Sequence, residues 1–316
     1  MTRRALIIGI NYIGTNNALR GCIKDTILIK NLLLNNGYEN QNITVMTDDL
    51  PKNSPLYPTK KNILTQFTNL ITNVPDNSFL FTHYSGHGSQ IKSNVYKPEE
   101  NDNMDEALCP VDFMTAGMII DDDVRKTLID PLNETVNLHI IMDCCHSGSI
   151  TDLKYTYKVN TSNTNKDINT NNKYSSKWEY LYYNDQPTFW KSCKKYNINK
   201  NNAYQYFSFI PAPDEVYTIQ PTTSVQPTFD TNQYLNDTKA HVYVFSGCRD
   251  DQTSADASEN GENFGAMTKS FTTVYKKGIT YDALLKGIRQ YMNGKYTQVP
   301  QLSCGRNEDL NKAIVL

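Results

Sequence analysis

Ala5-Leu6-Ile7-Ile8-Gly9-Ile10 is an unbroken run of apolar or small residues that ends at Asn11. It is far shorter than the ~20 residues a membrane span needs, and too short for the apolar core of an export signal. A strand with one wet face would alternate apolar and polar residues. An unbroken run predicts a strand buried on both faces, inside a parallel sheet. Working outward, residues 20–36 carry apolar residues at helical spacing through Ile23, Ile27, Ile29, Leu32 and Leu33, with Gly37 as a stop. Ile43 to Met46 reads as a second strand, and residues 59–73 as a second helix. Phe79 to Phe81 leads a third strand into His83, Leu138 to Met142 makes a fourth and Val242 to Phe245 a fifth, with late helices near 264–276 and 281–293. Strands alternating with helices predict an α/β fold: an open, mostly parallel sheet with helices on both faces.

Composition agrees and narrows the function. The chain has 316 residues, 39% of them hydrophobic and 20% charged, with a formal net charge of -2. Nothing in that charge predicts nucleic-acid binding, and no apolar run predicts a membrane partner. Seven cysteines in a chain of this length are too few for a disulfide scaffold. An odd count without an export signal predicts reduced thiols and a cytoplasmic protein. Residues 153–239 break the pattern, being rich in Asn, Thr, Lys and Tyr; from 154 to 200 there are nine Lys against three acidic residues. Too little apolar periodicity remains there for a core of its own. The expected organisation is a large part, 1–152, then an insertion or linker, 153–239, disordered in part near 158–176, then a small part, 240–316, completing the same domain.

In open α/β sheets, ligands bind beyond the carboxyl ends of the strands. Three reactive segments fall there: His83-Tyr84-Ser85-Gly86-His87-Gly88, Asp143-Cys144-Cys145-His146-Ser147-Gly148-Ser149, and Gly21-Cys22-Ile23-Lys24-Asp25 after strand one. A cysteine attacks a carbonyl as its thiolate, and a neighbouring imidazole can take its proton. His87 and Cys145 form the candidate pair, with the backbone N–H groups of Gly88 and Cys145 as a candidate oxyanion hole. Buried structural thiols at Cys144 and Cys145, with His87 a plain loop residue, are the alternative on spacing alone.

Those two motifs resemble the metacaspases, cysteine peptidases of the caspase-like fold. Ser246-Gly247-Cys248-Arg249-Asp250-Asp251-Gln252-Thr253-Ser254-Ala255-Asp256 and Pro300-Gln301-Leu302-Ser303-Cys304 are similar to the same family. The resemblance covers 5–152 and 240–305. It implies a caspase-like, six-stranded, mostly parallel sheet, His87 as base rather than His83, and Cys145 as nucleophile rather than Cys144. It further implies a short form without an N-terminal prodomain, and a monomer.

Asp143 stands two residues before Cys145, where a like charge would raise the thiol pKa. A cationic substrate side chain explains it: Asp25 and Asp143 could clamp a guanidinium or hold an ammonium. Asp25 could instead stabilise the first turn of its own helix. The family's basic-residue pocket maps onto Cys22, Asp25, Ser85 and Asp143, which implies protein or peptide substrates cut after Arg or Lys.

Residues 99–123 hold nine acidic side chains and no Lys or Arg. Such a run is usually a solvated face, yet calcium asks for six to eight oxygens, largely carboxylate and carbonyl. The resemblance places Ca2+ on Asp105, Asp121, Asp122 and Asp152, with Asp102 as a substitute for Asp105. A calcium ion held through Asp152 would order the loop after Cys145. The family also implies self-cleavage, for which Lys158, Lys166 and Lys173 are candidates, since exposed polar loops are where chains are nicked. A weakly catalytic caspase-like scaffold, and a zinc module of His83, His87, Cys144 and Cys145, are the competing functions.

Overall fold

The computed structural model describes residues 2–92, 104–144, 150–158, 228–247, 256–259, 262–293, 295–296 and 298–316. Cys145, Asp102, Lys166 and Lys173 lie outside the described residues. In chain order the elements are β1 (Arg3–Gly9), α1 (Cys22–Asn35), β2 (Ile43–Thr47), α2 (Lys60–Ile71), β3 (Phe79–Ser85), β4 (Gly88–Lys92) and β5 (Met104–Leu108). Then come α3 (Phe113–Ala116), β6 (Ile119–Ile120), α4 (Asp121–Val124), β7 (Asn137–Asp143), β8 (Tyr155–Lys158), β9 (Thr228–Thr231) and β10 (His241–Ser246). β11 (Asp256–Glu259), β12 (Glu262–Gly265), α5 (Ala266–Val274), α6 (Tyr281–Met292) and β13 (Gln301–Cys304) complete the chain.

Eight strands form the main sheet in the order β2-β1-β3-β7-β10-β13-β8-β9. The first five are mutually parallel, and β13, β8 and β9 each run antiparallel to their neighbours. The apolar run of β1 divides by parity, because successive strand side chains point to opposite faces. Ala5 and Ile7 join Ile29 and Leu33 of α1, Met267 and Phe271 of α5 and Leu284 and Ile288 of α6. Leu6 and Ile8 join Ile63 and Phe67 of α2 and Val124 of α4. Both faces are thus covered, as the unbroken run requires.

The sheet runs two strands further than the six that the resemblance implies. Both come from the ends of the stretch set apart as an insertion: β8 pairs with β13 through Tyr157 and Leu302, and β9 pairs with β8. Met1–Val159 and Pro227–Leu316 accordingly form one compact unit. The reason lies outside the segment itself. Tyr157 is buried to 2% exposure and donates its hydroxyl to Asp282 of α6, so a polar-looking strand is stabilised by a surface from distant sequence. The acidic stretch is likewise partly built: β4, β5 and β6 form a small antiparallel sheet beside the main one.

Candidate active site

Register brings the site together. Gly9, Ser85 and Asp143 are direct neighbours across β1, β3 and β7 at their carboxyl ends. A Cβ on Gly9 would lie 2.4 Å from the Cys22 carbonyl oxygen, so only glycine lets the start of α1 rest on the sheet there. The Asn11 side chain caps that start by accepting from Cys22 N at 3.0 Å and Ile23 N at 3.4 Å. Seated so, α1 delivers Asp25 to Ser85, whose hydroxyl donates to Asp25 Oδ2 at 2.7 Å. The carboxylate, in the first turn of α1, also accepts from Gly265 N–H at 3.0 and 2.9 Å.

Strand parity selects what shares this face. His83, Ser85 and Asp143 point the same way, toward α1 and α5. The Asp143 carboxylate accepts from the backbone N–H of Thr268 at 2.7 Å, in the first turn of α5. A Cβ on Gly265 would stand 2.1 Å from Asp143 Oδ2 and 2.8 Å from Asp25 Oδ2. The two carboxylates therefore flank one point, each held by amides at the N-terminus of α5, where the helix dipole favours negative charge. Cys22 is buried beside them. All four residues of the expected cation pocket lie at this rim.

His83 and His87 have different fates. His83 is fully buried, 2.9 Å from the Thr268 hydroxyl, and burial pushes its imidazole down to about 3. It is neutral at ordinary pH and sits in the core. His87 lies past the end of β3, with Nε2 2.7 Å from the Asn17 carbonyl oxygen. A carbonyl only accepts, so Nε2 carries the hydrogen, and in the neutral ring Nδ1 is the base. The His87 backbone N–H donates to the Tyr12 hydroxyl at 2.9 Å, which donates to the Cys109 carbonyl at 2.6 Å. The Tyr84 hydroxyl reaches the His87 carbonyl at 2.9 Å. Burial pushes the Tyr12 and Tyr84 phenols well above their ordinary value, so both stay protonated. Gly88 opens β4 directly after His87.

Cys145 lies outside the described residues, two positions beyond Asp143 at the end of β7. Cys144 is buried among the apolar residues of the α2 face. Among the described residues, no group of three metal-capable side chains includes His83, His87 or Cys144.

One such group does form. Asp121, Asp122 and Asp152 offer oxygen atoms that all lie within 4.8 Å of one another. Asp121 is fully buried and accepts from Glu106 N at 2.9 Å and Asp122 N at 2.6 Å. Asp152 takes a left-handed backbone, φ 45°, and its carbonyl accepts from the Arg125 guanidinium. Asp105, buried on β5, is not one of the three. An all-carboxylate oxygen set of this kind suits a hard cation such as calcium. Lys158 ends β8, its backbone paired with Thr228.

Sequence reading did not find the Asn17 carbonyl, Tyr12, Gly265 or Thr268. Three of the four act through their main chain, which carries no side-chain signature. Tyr12 alone left a signal, an aromatic directly after the strand-one Asn11.

A parallel sheet with a solvent-side histidine just past one strand end, and with the next strand ending at Asp143 where the sequence runs on through Cys144 and Cys145 to His146, has the layout of a caspase-like cysteine peptidase. A family profile described as Metacaspase, peptidase C14 domain, matches residues 3–154. The Metacaspase-1 of Kluyveromyces lactis is 36% identical over 99% of this chain and 68% of its own length. That of Schizosaccharomyces pombe is 36% identical over 99% and 70%. The crystal structure of protein GSU0716 from Geobacter sulfurreducens shares the fold, with a TM-score of 0.57 at 19% identity, over 99% of this chain and 97% of that one. The chain belongs to the metacaspase family and spans about two thirds of these two fungal relatives.

Proposed function

We propose that this metacaspase is a calcium-activated endopeptidase that cuts after Arg or Lys, with His87 as base and Cys145 as nucleophile. The observation that carries the specificity is the pair Asp25 and Asp143, two buried carboxylates flanking one point beside His87's strand. A substrate guanidinium or ammonium approaching this pair would meet two carboxylates of opposite charge.

In this reading Nδ1 of His87 takes the Cys145 thiol proton while Nε2–H stays on Asn17 O. The thiolate adds to the scissile carbonyl, and the oxyanion faces the N–H groups of Gly88 and Cys145. The imidazolium returns its proton to the departing amine as the C–N bond breaks. His87 then deprotonates a water that hydrolyses the thioester and frees Cys145.

Calcium fits the oxygens of Asp121, Asp122 and Asp152, and Asp105 is kept as a further candidate from the family pattern. When bound, the ion would supply positive charge to Asp121 and Asp122, before β7, and to Asp152, after Cys145, and so would tie these segments together. Self-cleavage within 154–200 is part of the proposal, at Lys166 or Lys173 rather than at Lys158, whose backbone the sheet holds. A monomer is supported by β8, which occupies the outer edge of β13.

The test is a fluorogenic peptide panel with Arg, Lys or Asp before the scissile bond, with calcium and with chelator. Cleavage of the Arg and Lys peptides alone, lost in chelator and in Asp25→Ala or Asp143→Ala, is expected. Unchanged Arg preference in both variants refutes the pocket, and identical rates in chelator refute the calcium requirement.

A further inference from the structure

We infer that Tyr12 is a positioning residue that holds the His87 imidazole in its reactive orientation; this rests on the reading of His87 as base. Three observations converge on it. The Tyr12 ring packs against the imidazole, with centroids 4.6 Å apart and planes tilted by 38°. Its hydroxyl joins the His87 backbone N–H to the Cys109 carbonyl. Its backbone is left-handed, φ 51°, a conformation that costs a bulky residue energy and persists only where surroundings impose it.

The surroundings do impose it. The Asp48 carboxylate accepts from the backbone N–H on either side, Asn11 at 2.8 Å and Ile13 at 2.9 Å. The Thr15 hydroxyl and amide both donate to the Tyr12 carbonyl, at 2.8 and 3.1 Å. The same loop then supplies the Asn17 carbonyl to Nε2. One short turn thus touches His87 on its ring face, its amide and its far nitrogen. The Asn17 contact alone leaves the ring free to swing about that hydrogen bond; the Tyr12 face removes that freedom and so fixes the direction of Nδ1.

The loop chemistry separates ring from hydroxyl. Tyr12→Phe keeps the face and loses the hydroxyl, whereas Tyr12→Leu loses both. Tyr84→Phe strips the neighbouring hydroxyl from the Cys109 and His87 carbonyls without touching the imidazole. The measurement is kcat and KM on whichever peptide the wild type cuts, together with the thermal midpoint of each variant. A small misplacement of a reacting group can cost about 100-fold in rate. The expected result for Tyr12→Leu is a kcat loss of about that size with KM within about threefold. Tyr12→Phe should recover most of the kcat, while Tyr84→Phe lowers the midpoint with a kcat loss of no more than about threefold.

The inference is overturned if Tyr12→Leu keeps kcat, if its loss appears in KM, or if Tyr84→Phe at equal midpoint loses as much kcat. Should Tyr12→Leu fail to fold, Tyr12→Met, which also lacks the ring face, takes its place. A kcat at least about tenfold below that of Tyr12→Phe at equal KM supports positioning, and a kcat equal to that of Tyr12→Phe overturns it. Wild type that cuts while His87→Ala also cuts would instead sink the reading of His87, a separate result.

Discussion

His83 and His139 are the residues where burial has the plainest energetic consequence. His83 sits beneath α5, and His139 Nε2 lies 2.7 Å from the Tyr281 hydroxyl with its ring nearly parallel to the mutually stacked rings of Tyr243 and Tyr281. Burial lowers each imidazole from 6.5 to about 3. Between those values the unfolded chain binds a proton on each residue that the folded chain refuses. Stability is therefore full above about pH 6.5 and falls as the solution is acidified, by about 1.4 kcal/mol per pH unit per histidine. Denaturant unfolding from pH 7 to 4 should show a shallower slope in His139→Asn than in the wild type, whatever the offset between the curves. Parallel curves would mean that His139 is charged in the fold. The same reasoning explains why sequence alone left His83 beside His87 as a metal candidate. Spacing made them equals, whereas strand parity sends one under a helix and the other past the strand end.

At the scale of elements, the corner between β12 and α5 governs the cation site. Gly265 N–H and Thr268 N–H hold Asp25 and Asp143, and a side chain at 265 has no room. Gly265→Ala must push the carboxylates or the corner aside, at a cost of about 1–3 kcal/mol for overpacking. It should also reduce kcat/KM on Arg peptides by at least about tenfold, since the clamp no longer meets at one point. Unaltered kcat/KM with an Arg peptide, in a folded variant, would show that the corner does not set the pocket. None of this was visible in the chain's order, because Gly265 and Asp25 are brought together across most of its length. The elements that were legible, β1, α1, α2, β3, β7, β10 and the two late helices, each announce themselves by local apolar spacing. β8 and β9 do not, because β13 and α6 supply the surface that buries Tyr157.

Across the whole molecule, these two strands change what cutting the chain would do. A break anywhere between 160 and 226 leaves β7 and β8 on one fragment and β9, β10 and β13 on the other. Those strands pair across the break, β7 with β10, β8 with β13 and β8 with β9, and both fragments share the two cores. A chain nicked there should elute at the size of the intact chain under native conditions and separate only in denaturant; two native peaks would show that the sheet does not hold them. The candidate site was legible at the same scale, because an α/β sheet collects its strand ends at one rim, and His87, Asp143 and Asp25 follow three of them. The direct measurement is kcat/KM on an Arg peptide in calcium for wild type, Cys145→Ala and His87→Ala. Cleavage by the wild type, falling by at least about 1,000-fold in each variant, is the predicted result. Activity retained in either variant, or a wild type that cuts no Arg peptide, would contradict the account.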